Sequence, residues 1–172
     1  MNSFRHRHRT FIGLPALALL ITATGCSSAD DTTSTPVPSP DAKVTELCQN
    51  LDKVLPAEVD GESREDPEPA SALTAGWGNS AIILRCGVEQ PPKMVDPKVA
   101  TGNDPEAIGG GVNGVRWLME TATDGDAGAV RFTSALRRAY VEVTVAKGGN
   151  TSTVLVDLAS AIKKAIPEGI AN

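Results

Sequence analysis

The chain has little histidine and few aromatic residues. Its two histidines, His6 and His8, lie within the first ten residues, and its 172 residues include two Trp, one Tyr and three Phe. If the N-terminal segment is removed as a leader, no histidine remains. This excludes Ser-His-Asp and Cys-His catalysis, and it excludes metal sites that need an imidazole ligand.

Positive charge is also scarce. Lys and Arg number 16 against 21 Asp and Glu, for a formal charge of −5. Loss of residues 1–25 removes three arginines and no acidic residue, which leaves 13 basic and 21 acidic residues and a charge of −8. We therefore expect no nucleic-acid partner, because phosphate backbones are bound by basic surfaces.

One glycine-rich stretch and one aspartate-rich stretch lack residues that a nucleotide-binding loop or a calcium-binding loop needs. The segment GGGVNG, residues 109–114, lacks the lysine and the helix that follow the glycines of a nucleotide loop, so we interpret it as the flexible entry to a strand. The segment DGD, residues 124–126, is followed by Ala-Gly-Ala, which supplies no further calcium ligands and favours a hairpin tip. We expect no cofactor and no metal.

The first 25 residues have the organisation of a secretory leader. Three arginines precede an apolar run over residues 11–21, which is too short to span a bilayer, and small residues follow it. The next sequence, ATGC at residues 23–26, resembles a bacterial lipobox. The resemblance implies that Cys26 is diacylated and anchors the protein to the extracytoplasmic face of the cell membrane. The alternative is ordinary secretion with an incidental cysteine.

The remainder divides into a tether and one domain. Residues 26–42 are rich in Ser, Thr, Pro and Asp with little to bury, which predicts a disordered spacer. Residues 43–172 are enough for a single domain. No internal repeat is visible.

Hydrophobic periodicity predicts an α+β fold for this domain. Helical spacing occurs over residues 42–56 after Asp41 as N-cap, and again over residues 150–167. Between them, alternation predicts about four strands, at residues 81–88, 115–120, 130–133 and 140–145, with residues 93–111 as a long loop. Each strand has one apolar face, so we expect an antiparallel sheet covered on one face by the N- and C-terminal helices.

Two cysteines remain beside Cys26. The pattern places Cys48 on the apolar stripe of the first helix and Cys86 on the apolar face of the first strand. In an oxidising compartment this predicts a Cys48–Cys86 disulfide. The alternative is a pair of free thiols with a redox role.

The opposite face of the predicted sheet carries the candidate ligand residues. Alternation places six polar side chains there: Arg85, Arg116, Arg131, Tyr140, Glu120 and Glu142. The arginines are suited to a carboxylate- or phosphate-bearing ligand. The alternative is an exposed face with cross-strand ion pairs, which we favour.

Several segments together resemble a known family. They are LC…L…LP within residues 47–56, Trp77-Gly78, LRCGV at residues 84–88, Pro91-Pro92, and VNGVRW at residues 112–117. The pattern resembles an actinobacterial family of secreted or lipid-anchored proteins of unknown function. The resemblance implies a cell-envelope location and no enzymatic activity, and it supplies no catalytic residues.

These observations favour a non-catalytic envelope lipoprotein that binds or scaffolds an envelope protein or a cell-wall component. The alternative is a cell-wall hydrolase or transferase in which Glu120 and Glu142 face each other across neighbouring strands. A third possibility is an accessory domain without a ligand. A deep pocket that raises the pKa of a carboxyl group would favour the enzyme, whereas a flat charged face would favour the binding domain.

Overall fold

The computed structural model describes residues 34–122 and 128–171, which form an α+β domain. The leader, the lipobox-like Cys26 and the predicted hairpin tip at residues 124–126 lie outside the described residues. In the described part, the α-helices are α1 (Ala42–Asp52), α2 (Pro97–Ala100) and α3 (Thr151–Ala165), and a 3-10 helix spans Pro92–Val95. None of these helices has the length and apolar character needed to cross a membrane.

The strands of the described residues form two antiparallel sheets. The small one is a hairpin of β1 (Glu58–Val59) and β2 (Glu62–Ser63). The main sheet has the order β3-β4-β8-β7-β6-β5, with β3 (Thr74–Trp77), β4 (Ile82–Cys86), β5 (Ala107–Val112), β6 (Val115–Thr121), β7 (Val130–Ala135) and β8 (Val141–Val145). The predicted fold class and antiparallel pairing are confirmed. The predicted number of about four strands is wrong, because the main sheet has six.

The two strands of the main sheet that the prediction missed, β3 and β5, are both rich in small residues. β5 reads AIGGGV and overlaps the end of residues 93–111, for which the sequence predicts a long loop. Glycine disfavours a strand, but here a two-residue turn at Asn113 and Gly114, with φ of +51° and +82°, folds β5 back onto β6. Pairing with the neighbouring strand overrides the local propensity.

Helices α1 and α3 pack against the same face of the main sheet. Helix α1 begins at the predicted cap, since Asp41 Oδ1 accepts from the Lys43 and Val44 amides at 2.7 and 3.0 Å. Helix α3 is capped by Asn150, whose Oδ1 accepts from the Thr153 amide at 3.2 Å. Beneath them lies one core that includes the fully buried residues Trp77, Leu84, Val143, Leu158 and Ile162. The covered face is therefore the one that the alternation predicted.

A disulfide joins α1 to β4, as predicted. The Cα atoms of Cys48 and Cys86 are 5.5 Å apart, and each cysteine is 1% exposed. The bond closes a loop of 38 residues between the first helix and a central strand. It fixes the N-terminal helix to the sheet inside the core.

The opposite face of the sheet is also partly covered, which the prediction did not include. Met94 of the 3-10 helix and Val99 of α2 pack on Ala107 and Leu118. Asp104 holds this segment in place, since it accepts from the Lys93 ammonium at 2.5 Å and from two backbone amides. The hydrogen bond from Lys93 is the main cause that lowers the pKa of the Asp104 carboxyl.

Arg137 is a buried structural residue that sequence periodicity did not reveal. Its side chain is 4% exposed, and it donates from Nη1 to the Ile166 carbonyl at 2.6 Å and from Nη2 to the Gly114 carbonyl at 3.2 Å. It therefore connects the end of α3 to the turn between β5 and β6.

The end of the predicted disordered tether differs from the expectation. From residue 34 onward the chain lies against the domain: the Thr35 amide donates to the Glu68 carbonyl at 3.0 Å, and Pro38 is buried. Pro40 packs on Gly87, where a Cβ atom would come within 2.6 Å of Pro40 Cγ. These prolines bury apolar surface, which composition alone did not indicate.

Candidate functional site

A cleft of about 770 Å³ lies over the sheet face that the two long helices leave open. Its floor is formed by side chains of β4, β6, β7 and β8. Its walls come from two proline-bearing segments, residues 38–41 before α1 and residues 87–92 after β4. The polar face of the sheet is therefore concave. A flat charged face is what we expect from the sequence for a binding or scaffolding domain.

Strand register explains why the charged side chains meet here. Arg85 on β4 lies directly opposite Glu142 on β8, and Arg131 on β7 lies directly opposite Glu120 on β6. Since alternate residues of a strand point to the same face, these four side chains share the floor of the cleft. Tyr140, just before β8, also lines it.

Glu142 is the centre of an ion-pair network on this floor. Its Oε1 accepts from Arg85 Nη1 at 3.1 Å, and its Oε2 lies 3.6 Å from Arg131 Nε. Glu142 is 9% exposed, so both carboxylate oxygens are held by guanidinium groups away from bulk water. Arg85 also donates from Nε to the Pro36 carbonyl at 3.0 Å, which attaches the proline wall to the floor.

Glu120 has a different environment from Glu142. Burial, above all, raises the pKa of the Glu120 carboxyl above its ordinary 4.5, and the negative charge of Glu142 adds to this. The positive charges of Arg131 and, less strongly, Lys93 lower the pKa of this carboxyl. Burial also raises the pKa of the Tyr140 hydroxyl.

The charges that line the cleft are acidic in sum. There are two guanidinium groups, from Arg85 and Arg131, and four carboxyl groups, from Asp41, Glu89, Glu120 and Glu142. Both arginines already face Glu142, whose carboxylate offsets part of their positive charge. The cross-strand ion pairs favoured from the sequence are therefore present, and the arrangement offers less to a carboxylate or phosphate than the arginines alone indicated.

One detail of the predicted site is wrong, and Arg116, although it lies on the predicted face, is not part of the cleft. Glu120 and Glu142 do not lie on neighbouring strands, because β7 separates β6 from β8 and places Arg131 between them. Arg116 does not line the cleft. It is exposed and borders an adjoining hollow of about 420 Å³, which shares Gln90 and Tyr140 with the cleft.

The walls of the cleft were missed by sequence reasoning. Pro38, Pro40, Pro91 and Pro92 belong to segments whose composition indicated a spacer and a strand end. The one local signal was Gly87, since it has a φ of +85° and leaves the space that Pro40 fills. How these segments pack depends on tertiary contacts that periodicity does not encode.

Comparison with known proteins gives a family without a function. The family model described as "Protein of unknown function (DUF3515)" matches residues 10–171, so the chain belongs to this family. No curated protein and no solved structure matches the chain. The expectation of an uncharacterised family is thereby confirmed, and the chemistry of the cleft is the remaining guide to function.

Proposed function

We propose that this DUF3515 protein is a lipid-anchored envelope protein whose domain binds a small ligand, without catalysis, on the outer face of the cytoplasmic membrane. The observation that carries the binding role is the cleft of about 770 Å³ above a charged sheet face. Its volume lies in the range of small-molecule sites, and it combines proline side chains in its walls with several charged and polar groups. The leader and the ATGC sequence support the location.

The charges of the cleft favour a ligand with a cationic group. Glu142 is compensated by two arginines, and Asp41 is occupied as the cap of α1. Glu120 gains most from a cation, because its ionised form carries a burial cost that an ammonium group offsets. The proline walls are suited to an apolar body beside that group. We therefore propose a primary amine or a similar cation attached to a compact apolar moiety.

A pair of ligands that differ only in charge tests this function. The full chain is titrated with cyclohexylamine and with cyclohexanecarboxylate, and the amide signals of Gly87 and Val88 are followed by NMR, with Val156 on α3 as a remote control. We expect the amine to shift the cleft signals with at least about tenfold higher affinity than the acid. Equal affinity, or tighter binding of the acid, would contradict the proposed ligand class.

The amine affinity is expected to depend on pH in a defined direction. The raised pKa of Glu120 means that its carboxyl takes up a proton at a higher pH than an ordinary glutamate. Because the proton competes with the ammonium group, the affinity falls as pH drops through that pKa, by about tenfold between about pH 7 and pH 4. Titration by NMR or calorimetry measures this, and an affinity that rises on acidification would refute it.

The membrane anchor has its own test. Replacing Cys26→Ala removes the acceptor of the lipid, so the protein is expected to move from the membrane fraction to the soluble fraction of the envelope. Fractionation followed by immunoblotting measures the distribution. Unchanged membrane retention of the variant would show that Cys26 is not the anchor.

A second candidate, a carboxylate-dependent hydrolase or transferase acting on the cell wall, is favoured by one observation. Glu120 combines a raised pKa with a position in the cleft, as a general acid requires. The ion-paired state of Glu142 and the strand that separates the two residues argue for the binding role. Release of soluble fragments from purified peptidoglycan, lost in both Glu120→Gln and Glu142→Gln, would establish this candidate in place of the first.

A further inference from the structure

The two edge strands of the main sheet, β3 and β5, differ in whether another chain segment is hydrogen-bonded to their outer side. At the β3 edge, the chain around residues 63–65 runs alongside: the Glu65 amide donates to the Gly76 carbonyl at 2.8 Å, and the Gly78 amide donates to the Ser63 carbonyl at 3.1 Å. At the other edge, β5 pairs with β6 and has no second neighbouring strand among the described residues. Within residues 34–122 and 128–171, one edge is therefore covered and the other is open.

The open groups of β5 follow from its register. Val112 and Val115 flank the two-residue turn and form a hydrogen-bonded pair, so Gly110 and Ile108 also direct their backbone groups toward β6. The Thr121 amide bonds the Glu106 carbonyl at 3.3 Å, which agrees with this phase. Gly109 and Gly111 then point their N–H and C=O groups away from the sheet, toward the open side.

β5 lacks the features that usually protect an edge strand. Its sequence AIGGGV has no charged residue and no proline. Ile108 and its cross-strand neighbour Met119 are 49% and 38% exposed, which places an apolar pair beside the open backbone. The edge therefore offers both hydrogen-bonding groups and apolar surface to another strand.

The glycines of β5 are not explained by contacts within the described chain. A Cβ atom at Gly109 or Gly110 would meet nothing within 4 Å, and at Gly111 it would lie 3.8 Å from the Val115 carbonyl oxygen. None of the three has a positive φ. Glycine in a strand is destabilising relative to alanine, so bare backbone here fits the close approach of a second backbone from outside.

We infer that β5 is a dimerisation edge at which a second copy of this chain adds its own β5 in the antiparallel sense. A two-fold axis at Gly110 pairs Gly109 of each copy with Gly111 of the other, which satisfies the open N–H and C=O groups of both glycines. This strand pairing does not need a hydrogen bond from the Ala107 amide, which already donates to Asp104. It also sets Ile108 opposite Val112 of the second copy, so that exposed apolar surface is buried.

Charge supports a copy of the same chain as the occupant. Glu106 precedes one end of β5; its side chain is 74% exposed, and its Oε2 lies 3.6 Å from Lys93 Nζ within the same chain. At the other end, beside the Asn113–Gly114 turn, lie the exposed side chains of Arg116 and Lys163, with Lys163 Cδ 3.4 Å from where a Gly114 Cβ would be. Antiparallel pairing brings the acidic end of each copy to the basic end of the other, twice by symmetry.

A pair of substitutions at one position tests the inference. Gly109→Pro removes the N–H group that points away from β6 and places a proline ring on the open edge. Pairing between β5 and β6 within one chain does not use this N–H group, so the substitution acts on the dimer contact. Gly109→Ala keeps the N–H group and adds a Cβ atom into free space. For the full chain in mild detergent, sedimentation equilibrium is expected to show a dimer for the wild type and for Gly109→Ala. We expect the dissociation constant to rise about a hundredfold for Gly109→Pro.

Charge reversal gives a second readout that does not alter the strand. Glu106→Lys and Lys163→Glu are each expected to weaken the dimer several-fold, and the double variant to restore it. Circular dichroism confirms that each variant is folded. A wild type that stays monomeric up to roughly 0.1 mM, or a Gly109→Pro variant that dimerises like the wild type, would overturn the inference. So would a monomer whose edge instead captures a strand of a different protein.

Discussion

Replacing Cys48 and Cys86 together with alanine is expected to lower the free energy of unfolding by about 4 kcal/mol. The disulfide closes a loop of 38 residues, and the chain entropy that it removes from the unfolded state accounts for this value. That is a large part of the 5–15 kcal/mol that typically stabilises a domain. Both cysteines are 1% exposed, so the substitutions also remove two buried sulfur atoms.

Urea unfolding, followed by circular dichroism, measures this loss. The wild type in reducing buffer is the matched comparison, because it breaks the bond without changing core volume. We expect the reduced wild type to lose nearly as much stability as the double variant. A loss below about 1 kcal/mol in both would show that the disulfide does not constrain the unfolded chain as the loop-closure argument requires.

The second large effect is expected at Trp77, which is fully buried in β3. Trp77→Ala is expected to cost about 3–5 kcal/mol, because it removes one of the two tryptophan side chains of the core and leaves a cavity. Its indole Nε1 also donates to the Pro56 carbonyl at 3.1 Å, which fixes the chain after α1 to the sheet.

Trp77→Phe separates the two contributions. It retains an aromatic ring but loses the donor and part of the volume, so we expect a smaller cost of about 1–2 kcal/mol. Thermal and urea unfolding of the three proteins measures the order. If Trp77→Ala proved as stable as the wild type, the tryptophan would not be the central core residue that the packing indicates.

The sequence predicted the parts of the fold that have a regular local pattern. Alternation in β4, β6, β7 and β8 gave the correct inward and outward faces, and helical spacing marked both long helices, with Asp41 as the cap of the first. The placement of Cys48 and Cys86 on facing surfaces followed from those patterns, and the bond is present.

The sequence pattern did not predict the parts of the fold whose conformation depends on tertiary contacts. β5 is glycine-rich and forms a strand only because a tight turn returns it to β6. Arg137 is buried because two carbonyl groups accept its hydrogen bonds, which no periodicity reveals.

For the candidate site, the sequence predicted which side chains share a face, but it did not predict the strand order or the walls. The sheet alternation brought Arg85, Arg131, Glu120 and Glu142 to one face as predicted, because side-chain direction in a strand is set locally. Strand order is not local, and it separated Glu120 from Glu142 and left Arg116 outside the cleft. The walls depend on prolines that pack across the sheet, so the sequence predicted a charged face and not a cleft.

The most direct test of the proposed function is the amine affinity of the Glu120→Gln variant, with Glu46→Gln as a control on the exposed surface of α1. Glutamine keeps the size of the side chain and removes its charge. We predict that cyclohexylamine binds Glu120→Gln about tenfold more weakly than the wild type, while Glu46→Gln binds it unchanged. Equal amine affinity in Glu120→Gln and the wild type would contradict the assignment of the cleft as a cation-binding site.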